Sequence, residues 1–150
     1  MRYLKIICIF AALLLVLSVV ALADSHGGKC PLCGMNIAGN ENTAYEITYK
    51  DGTTTTYCCP HCGLWEHSEK KGDIQSARAR DFISGDWGDP STMVYLFKSK
   101  AIPACAPSWI AFAKESEAKK FRKGFGGTIF TFEDALKERM KHPKGMEMKM

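Results

Sequence analysis

Residues 44–62, Ala44-Tyr45-Glu46-Ile47-Thr48-Tyr49-Lys50-Asp51-Gly52-Thr53-Thr54-Thr55-Thr56-Tyr57-Cys58-Cys59-Pro60-His61-Cys62, decide how this 150-residue chain folds. AYEITYK (44–50) and TTTTYC (53–58) are runs rich in β-branched and aromatic residues. Asp51-Gly52 between them is the dipeptide of a tight hairpin turn. Pro60 suits the first turn of a helix, where no N–H partner is required of it, and opens a helix that runs to about Lys70 and stops at Gly72. Ala77 to Ile83 alternates as a third strand. The order is strand, strand, helix, strand.

The same order recurs downstream. Gly85-Asp86-Trp87-Gly88-Asp89-Pro90 has the composition of a linker, and Met93–Lys98 and Trp109–Ala113 read as strands beyond it. A helix from Glu115 to Lys123 buries Ala118, Phe121 and Phe125 at helical spacing and turns Lys119, Lys120, Arg122 and Lys123 to water. Gly126-Gly127 ends it, Thr128–Phe132 is a last strand, and Glu133–Lys141 a terminal helix with Ala135, Leu136 and Met140 on its apolar side. Trp65, Trp87, Trp109, Phe97, Phe112, Phe130 and Phe132 are core residues by size and apolarity. The expected fold is α+β, organised as a first ββαβ unit over 24–86 and a second, ββαβ-like unit over 92–141.

Arg2 and Lys5 precede an apolar run from Ile6 to Leu22 that exits through Ala21-Leu22-Ala23, the charged, apolar and small-residue order of a cleaved signal peptide over 1–23. Cleavage before Asp24 removes Cys8 and leaves six cysteines in about 127 residues. No cysteine follows the run closely enough to be lipidated. The expected location is therefore periplasmic or otherwise extracytoplasmic, with no stable membrane anchor. An uncleaved anchor is the alternative, because about 17 apolar residues lie at the lower limit of a membrane span.

With Arg2 and Lys5 removed, 18 basic residues face 16 acidic ones, too even a balance for a nucleic-acid partner. A unit this small needs a metal, a disulfide or a partner to supplement its core. The cysteines can meet that need. Cys30-Pro31-Leu32-Cys33-Gly34-Met35 and Cys58-Cys59-Pro60-His61-Cys62-Gly63 supply two C-x2-C pairs separated by 25 residues, with Cys105 alone further on. Four thiolates at this spacing can close a tetrahedron around one ion.

Spacing does not choose the metal. A closed four-thiolate zinc site is structural, whereas Cu(I) takes fewer soft ligands and accepts thioether sulfur, so Met35 two residues after Cys33 points toward Cu(I). Met35 can equally be core filler. Cys58 and Cys59 compete for one ligand position: if the strand continues through Cys58, the two side chains point to opposite faces and one site does not use both. Helix geometry favours Cys59, whose thiol lies where free N–H groups and the helix dipole stabilise a thiolate.

Cys59-Pro60-His61-Cys62 also matches the active-site tetrapeptide of oxidising thioredoxin-like proteins. A thiol-disulfide oxidoreductase using Cys59 and Cys62 is accordingly one alternative, although no preceding βαβ unit or later cis-proline loop is recognisable. A structural zinc site or disulfide-stapled binding domain is another. His26, His61 and His67 read as ordinary surface or core histidines. The tail over 142–150 carries His142, Met146, Met148 and Met150, soft donors in a polar, Met-rich segment.

The CPLCGM run opening a hairpin, Ala79-Arg80-Asp81-Phe82 closing the first half, and Ile110-Ala111-Phe112-Ala113-Lys114-Glu115-Ser116-Glu117-Ala118 followed by Phe121, Gly126-Gly127 and Phe132 resemble the NosL family of nitrous oxide reductase accessory proteins. The segment from Cys33 to Cys62 is similar to a TRASH or YHS-type metal-binding knuckle, in which C-x3-C spacing favours Cys58 with Cys62. The resemblance implies two homologous ββαβ units in tandem and an extracytoplasmic, non-enzymatic Cu(I) chaperone. Its partner would be a client metalloenzyme, such as nitrous oxide reductase, or a copper-transfer protein. It further implies that Cys105, in the loop Ile102-Pro103-Ala104-Cys105-Ala106-Pro107, replaces a copper-binding methionine. The metal candidates are thus Cys30, Cys33, Met35, Cys58, Cys59, Cys62 and Cys105, for Cu(I) with Zn(II) as the alternative.

Overall fold

A computed structural model of the chain describes residues 28–142. The expected signal, His26, Met146, Met148 and Met150 lie outside these residues. Among the described residues the architecture is α+β: two antiparallel sheets and three α-helices. The first sheet holds β1 (Tyr45–Tyr49), β2 (Thr54–Tyr57), β3 (Ile74–Arg80) and β4 (Trp87–Gly88) in the order β2-β1-β3-β4. Helix α1 (Pro60–Glu69) links β2 to β3. The second sheet holds β5 (Val94–Phe97), β6 (Trp109–Phe112) and β7 (Thr128–Thr131) in the order β6-β5-β7. Helix α2 (Glu115–Phe125) lies between β6 and β7, and α3 (Phe132–Met140) follows β7. In each sheet the first strand is central, flanked by its hairpin partner and by the strand after the helix.

The hairpin forms where its turn chemistry demands. Gly52 adopts φ +86°, and the Asp51 carboxylate accepts the Thr53 N–H at 2.8 Å, leaving Tyr45 paired with Tyr57 and Ile47 with Thr55. Strand β3 starts at Ile74 and ends at Arg80, three residues earlier at each end than its alternation suggests. Asp81 ends it by turning the chain: its N–H donates to the Asp86 carbonyl, and its carboxylate accepts from Ser84 and Ala113 N–H groups. The stretch expected to be a linker contains β4, because Arg80 pairs with Trp87 and the Arg78 and Arg80 guanidiniums lie 4.5 and 4.2 Å from the Trp87 ring centroid. Cation–π contacts of this kind hold a short edge strand that propensity alone does not.

The sheets meet at the same corner. Phe82 N–H donates to the Ala111 carbonyl at 3.0 Å, one residue beyond the Asp81 clasp on Ala113. A single apolar cluster runs through both sheets, taking in Tyr45, Ile47, Leu64, Tyr95, Trp109 and Leu136. Helix α1 packs on α3 and touches β1, β2 and β6, so its amino-terminal end sits where the two sheets share a core.

Two side chains expected inside are not. Phe125 is 44% exposed, because Gly126 turns the chain away directly after it, and Met140 is 38% exposed. The fully buried residue at that end of α3 is Arg139. Among the described residues no helix is long and apolar enough to cross a membrane.

Candidate metal centre

Three segments converge on the head of α1. The first is the knuckle 30–35, which Gly34 reverses at φ +75°; Cys30 N–H donates to the Met35 carbonyl and Gly34 N–H to the Cys30 carbonyl, both at 2.8 Å. Cys30 and Cys33 thereby face the same way. The second is the junction of β2 and α1. Strand β2 ends at Tyr57, the Thr43 hydroxyl donates to the Cys58 carbonyl at 2.7 Å, and Cys59 is the extended N-cap whose carbonyl accepts the Cys62 and Gly63 N–H groups. The third is the loop after β5. Lys98 N–H and the Ser108 hydroxyl bond across its neck, and Cys105 sits buried at its far side.

The result is a compact group of six thiols. Sγ–Sγ separations are 3.4 Å for Cys33–Cys58, 3.5 Å for Cys58–Cys105, 3.7 Å for Cys58–Cys59 and for Cys33–Cys105, 3.8 Å for Cys62–Cys105 and 4.0 Å for Cys58–Cys62. None is a disulfide, which requires about 2.05 Å, and all six cysteines among the described residues are free. A tetrahedron of thiolates around zinc at about 2.3 Å has edges of about 3.8 Å, so these spacings are those of sulfurs that share an ion. Two sets of four sulfurs lie within 4.8 Å of one another: Cys30, Cys33, Cys58 and Cys62, and Cys58, Cys59, Cys62 and Cys105.

The condition that would have set Cys58 and Cys59 on opposite faces, a strand continuing through Cys58, is not met. Their thiols are 3.7 Å apart, because the strand stops before Cys58 and the period-two alternation no longer applies. The knuckle pair groups with Cys58, at C-x3-C spacing from Cys62, while Cys59 groups with Cys105. Met35 is half-buried against the apolar cluster. His61 is buried with Nδ1 4.0 Å from Cys62 Sγ, whereas His67 Nδ1 pairs with the Tyr45 hydroxyl at 2.8 Å and belongs to the packing. His142 Nε2 lies 3.5 Å from the Glu138 carboxylate.

The thiols polarise one another. Hydrogen bonds from Cys58 and Cys62 hold Cys30 as a thiolate, with its pKa lowered to about 2, and bonds from Cys58, Cys59 and Cys62 push Cys105 far down as well. Cys58 and Cys62 are pushed up, first by donating to Cys105 and then to Cys30. Burial raises Cys33 to about 11. Cys30 and Cys105 are thereby the thiols most readily deprotonated.

Arg139 answers that charge, and the sequence reading missed it. Its side chain is buried, Nε donates to the His61 carbonyl at 2.7 Å, and the guanidinium lies 4.7 Å from the Trp65 ring centroid. Burial lowers its pKa, and charge on Cys62, Cys59 and Cys105 raises it again. The signal was present in the sequence: Arg139 is four residues after Ala135, on the apolar face of its own helix.

The thioredoxin-like alternative lacks the βαβ unit it needs ahead of its cysteine motif. Strands β2 and β3 both run antiparallel to β1 and hence parallel to each other, so β2-α1-β3 is a split βαβ crossover, but among the described residues only β1 precedes β2 in this sheet and no α-helix lies before it. Ala106–Pro107 is a cis peptide bond next to Cys105, contrary to the expectation that no such loop is present.

A two-sheet α+β fold with a buried thiol cluster at the head of its first helix defines a cysteine-rich protein able to hold metal. The chain belongs to the NosL family, whose profile matches residues 21–140. The crystal structure of the copper chaperone NosL from Shewanella denitrificans has the same fold, with a TM-score of 0.65 over 76% of this chain and 93% of that one, at 16% identity. The HTH-type transcriptional repressor CutR of Bacillus subtilis is 28% identical over 88 residues, 58% of this chain. The matched stretch is 46% of the repressor's length.

Proposed function

We propose that this protein is an extracytoplasmic carrier of Cu(I), exported by its amino-terminal signal and passing copper to a client metalloenzyme or copper-transfer protein by ligand exchange. Nitrous oxide reductase is the client that family membership suggests. The observation that carries the reading is the thiol cluster itself: sulfur donors packed at metal-sharing distances, five of the six buried and Cys33 part-exposed. Soft thiolates select Cu(I) over harder ions, and an exposed ligand gives a partner's sulfur a place to attack. On this reading Cys30, Cys33, Cys58, Cys59, Cys62 and Cys105 are the metal ligands, and Met35 is a packing residue beside them.

Carrier rather than enzyme is the better reading of Cys59 and Cys62. Both thiols are at most 1% exposed, which keeps a substrate dithiol from reaching either sulfur. Cys59 and Cys62 are also shared among several sulfur neighbours instead of forming an isolated pair.

Competition titration with a chromophoric Cu(I) chelator, read beside circular dichroism, tests the proposal. Cu(I) is expected to outcompete Zn(II), Cys30→Ser and Cys33→Ser each to weaken Cu(I) binding by at least tenfold, and Cys105→Ala to impair binding or transfer with the fold retained. Preference for Zn(II), or collapse of the whole fold on metal removal, would point instead to a structural zinc knuckle.

A further inference from the structure

The six thiols are too many for one ion. Four sulfurs complete a tetrahedron, and Cu(I) takes fewer, yet Cys59 and Cys105, although they border the apolar cluster, bring their sulfurs against the same Cys58 that Cys33 approaches. The two four-sulfur sets have Cys58 and Cys62 in common. Cys33 also lies 3.7 Å from Cys105, so taking up two ions about that common edge requires these two terminal sulfurs to draw apart. An edge shared by two coordination polyhedra is the geometry of bridging ligands.

We infer that the cluster is a two-ion centre in which Cys58 and Cys62 bridge, Cys30 and Cys33 complete one ion's shell, and Cys59 and Cys105 complete the other's. The identity of the ions as Cu(I) rests on the carrier reading, whereas the count of two rests on the sulfur geometry and applies to any soft thiolate-binding ion. The Cys58–Cys62 separation of 4.0 Å is the span two such ions need across a common edge. Each coordinating sulfur that still carries a proton gives it to water as it takes the ion, and no oxidant or reductant is involved.

The arrangement divides labour between the ends of the cluster. On the first side the terminal ligands come from a surface turn and include the part-exposed Cys33; on the second they come from the helix cap and a buried loop. The first ion is thus the exchangeable one. The second is enclosed, beside the Arg139 guanidinium, whose charge it shares with Cys59, Cys62 and Cys105.

Two titrations of the full chain under anaerobic conditions test this, one with Cu(I) and one with Cd(II), each followed by native mass spectrometry. Wild type is expected to take two ions with either metal. Cys59→Ser combined with Cys105→Ser should take one, and Cys30→Ser combined with Cys33→Ser should also take one, while Cys58→Ser or Cys62→Ser should lose affinity for both. X-ray absorption of the wild-type Cu(I) form should show a short Cu–Cu vector, a readout that needs no variant to fold. One ion per chain with both metals, four ions, or no metal–metal vector overturns the inference. The two readings fail separately: tight, transferable binding of a single Cu(I) would leave the carrier standing and remove the bridge. Two Zn(II) ions held in preference to Cu(I) would do the reverse.

Discussion

Gly63→Ala tests how closely helix α1 must approach the first sheet. A Cβ built on Gly63 collides with the base of the Tyr45 side chain, at its Cγ and Cδ1, with the Tyr45 Cβ only 2.5 Å away, where carbons rest at about 3.5–4.0 Å. Relief requires a shift of roughly 1 Å. Tyr45 cannot supply it: its side chain is fully buried and its hydroxyl is held by His67 at 2.8 Å. The helix must move instead, taking Cys59 and Cys62 away from the other four thiols. Overpacking at such a site costs up to about 3 kcal/mol, and the helix propensity gained by replacing glycine returns about 1 kcal/mol, for a net loss of about 2 kcal/mol. For a domain of this size that lowers Tm by roughly 8 °C. Gly124→Ala is the control, since a Cβ there meets nothing within 4 Å, and it should be neutral or stabilising by up to about 1 kcal/mol. Calorimetry of the metal-free variants, with a Cu(I) chelator competition alongside, reads both effects. A Gly63→Ala protein as stable as wild type, with unchanged Cu(I) affinity, would refute the close-approach argument.

Arg139→Met should destabilise the metal-free protein by about 2 kcal/mol, because it removes a charged donor to the His61 carbonyl, and should weaken metal binding through loss of positive charge beside the thiolates. Arg139→Lys should restore part of the affinity but not the packing over Trp65, which denaturant melts and chelator competition separate. Asp81 sets an acid limit: burial pushes its pKa up, but hydrogen bonds led by the one from the Ala113 N–H outweigh this and leave it lowered. Its contribution is complete above the unfolded carboxyl value of about 3.9 and is lost as pH falls through the lowered folded value. Chemical denaturation between pH 2 and 7 should show a stability loss at the acid end that is smaller in Asp81→Asn, and equal slopes in the two proteins would show that Asp81 is not the cause.

What the sequence displayed was local. Asp51-Gly52 and Pro60 are residues whose own conformational limits mark a turn and a helix start, and β1, β2 and α1 begin and end within a residue or two of where those limits place them. Family likeness in Ala79-Arg80-Asp81-Phe82 was visible as a string. Its physical reason was not: Asp81 accepts a hydrogen bond from Ala113, 32 residues away, and clasps one sheet to the other. Arg139 was hidden for the same reason, since its partner carbonyl at His61 is 78 residues distant. Cys58 and Cys59 were separated by an alternation rule that held only while the strand lasted. One hydrogen bond from Thr43 to the Cys58 carbonyl, together with the extended cap at Cys59, changes which way two thiols point, and neither can be found by spacing.

The cluster's anchoring differs from ligand to ligand, and that difference bears on how a carrier releases its ion. Cys58, Cys59 and Cys62 sit at the junction of β2 and α1, inside the core shared by both sheets, and cannot move without disturbing Tyr45 and Leu64. Cys33 stands on a turn closed by two backbone hydrogen bonds and the single Lys29–Asn36 bridge. Opening that turn breaks few bonds and leaves the β ladder intact, so it lies at the low-cost end of local motion. On the carrier reading proposed above, a partner's sulfur entering beside Cys33 would bind the ion and displace that one ligand while the rigid thiols still hold it, the remaining bonds exchanging in sequence. A closed structural site has no such weak ligand, and metal leaves it only with the fold. On the proposed reading, the pairing of a fixed sulfur floor with one part-exposed rim residue is what would suit this arrangement to handing metal on.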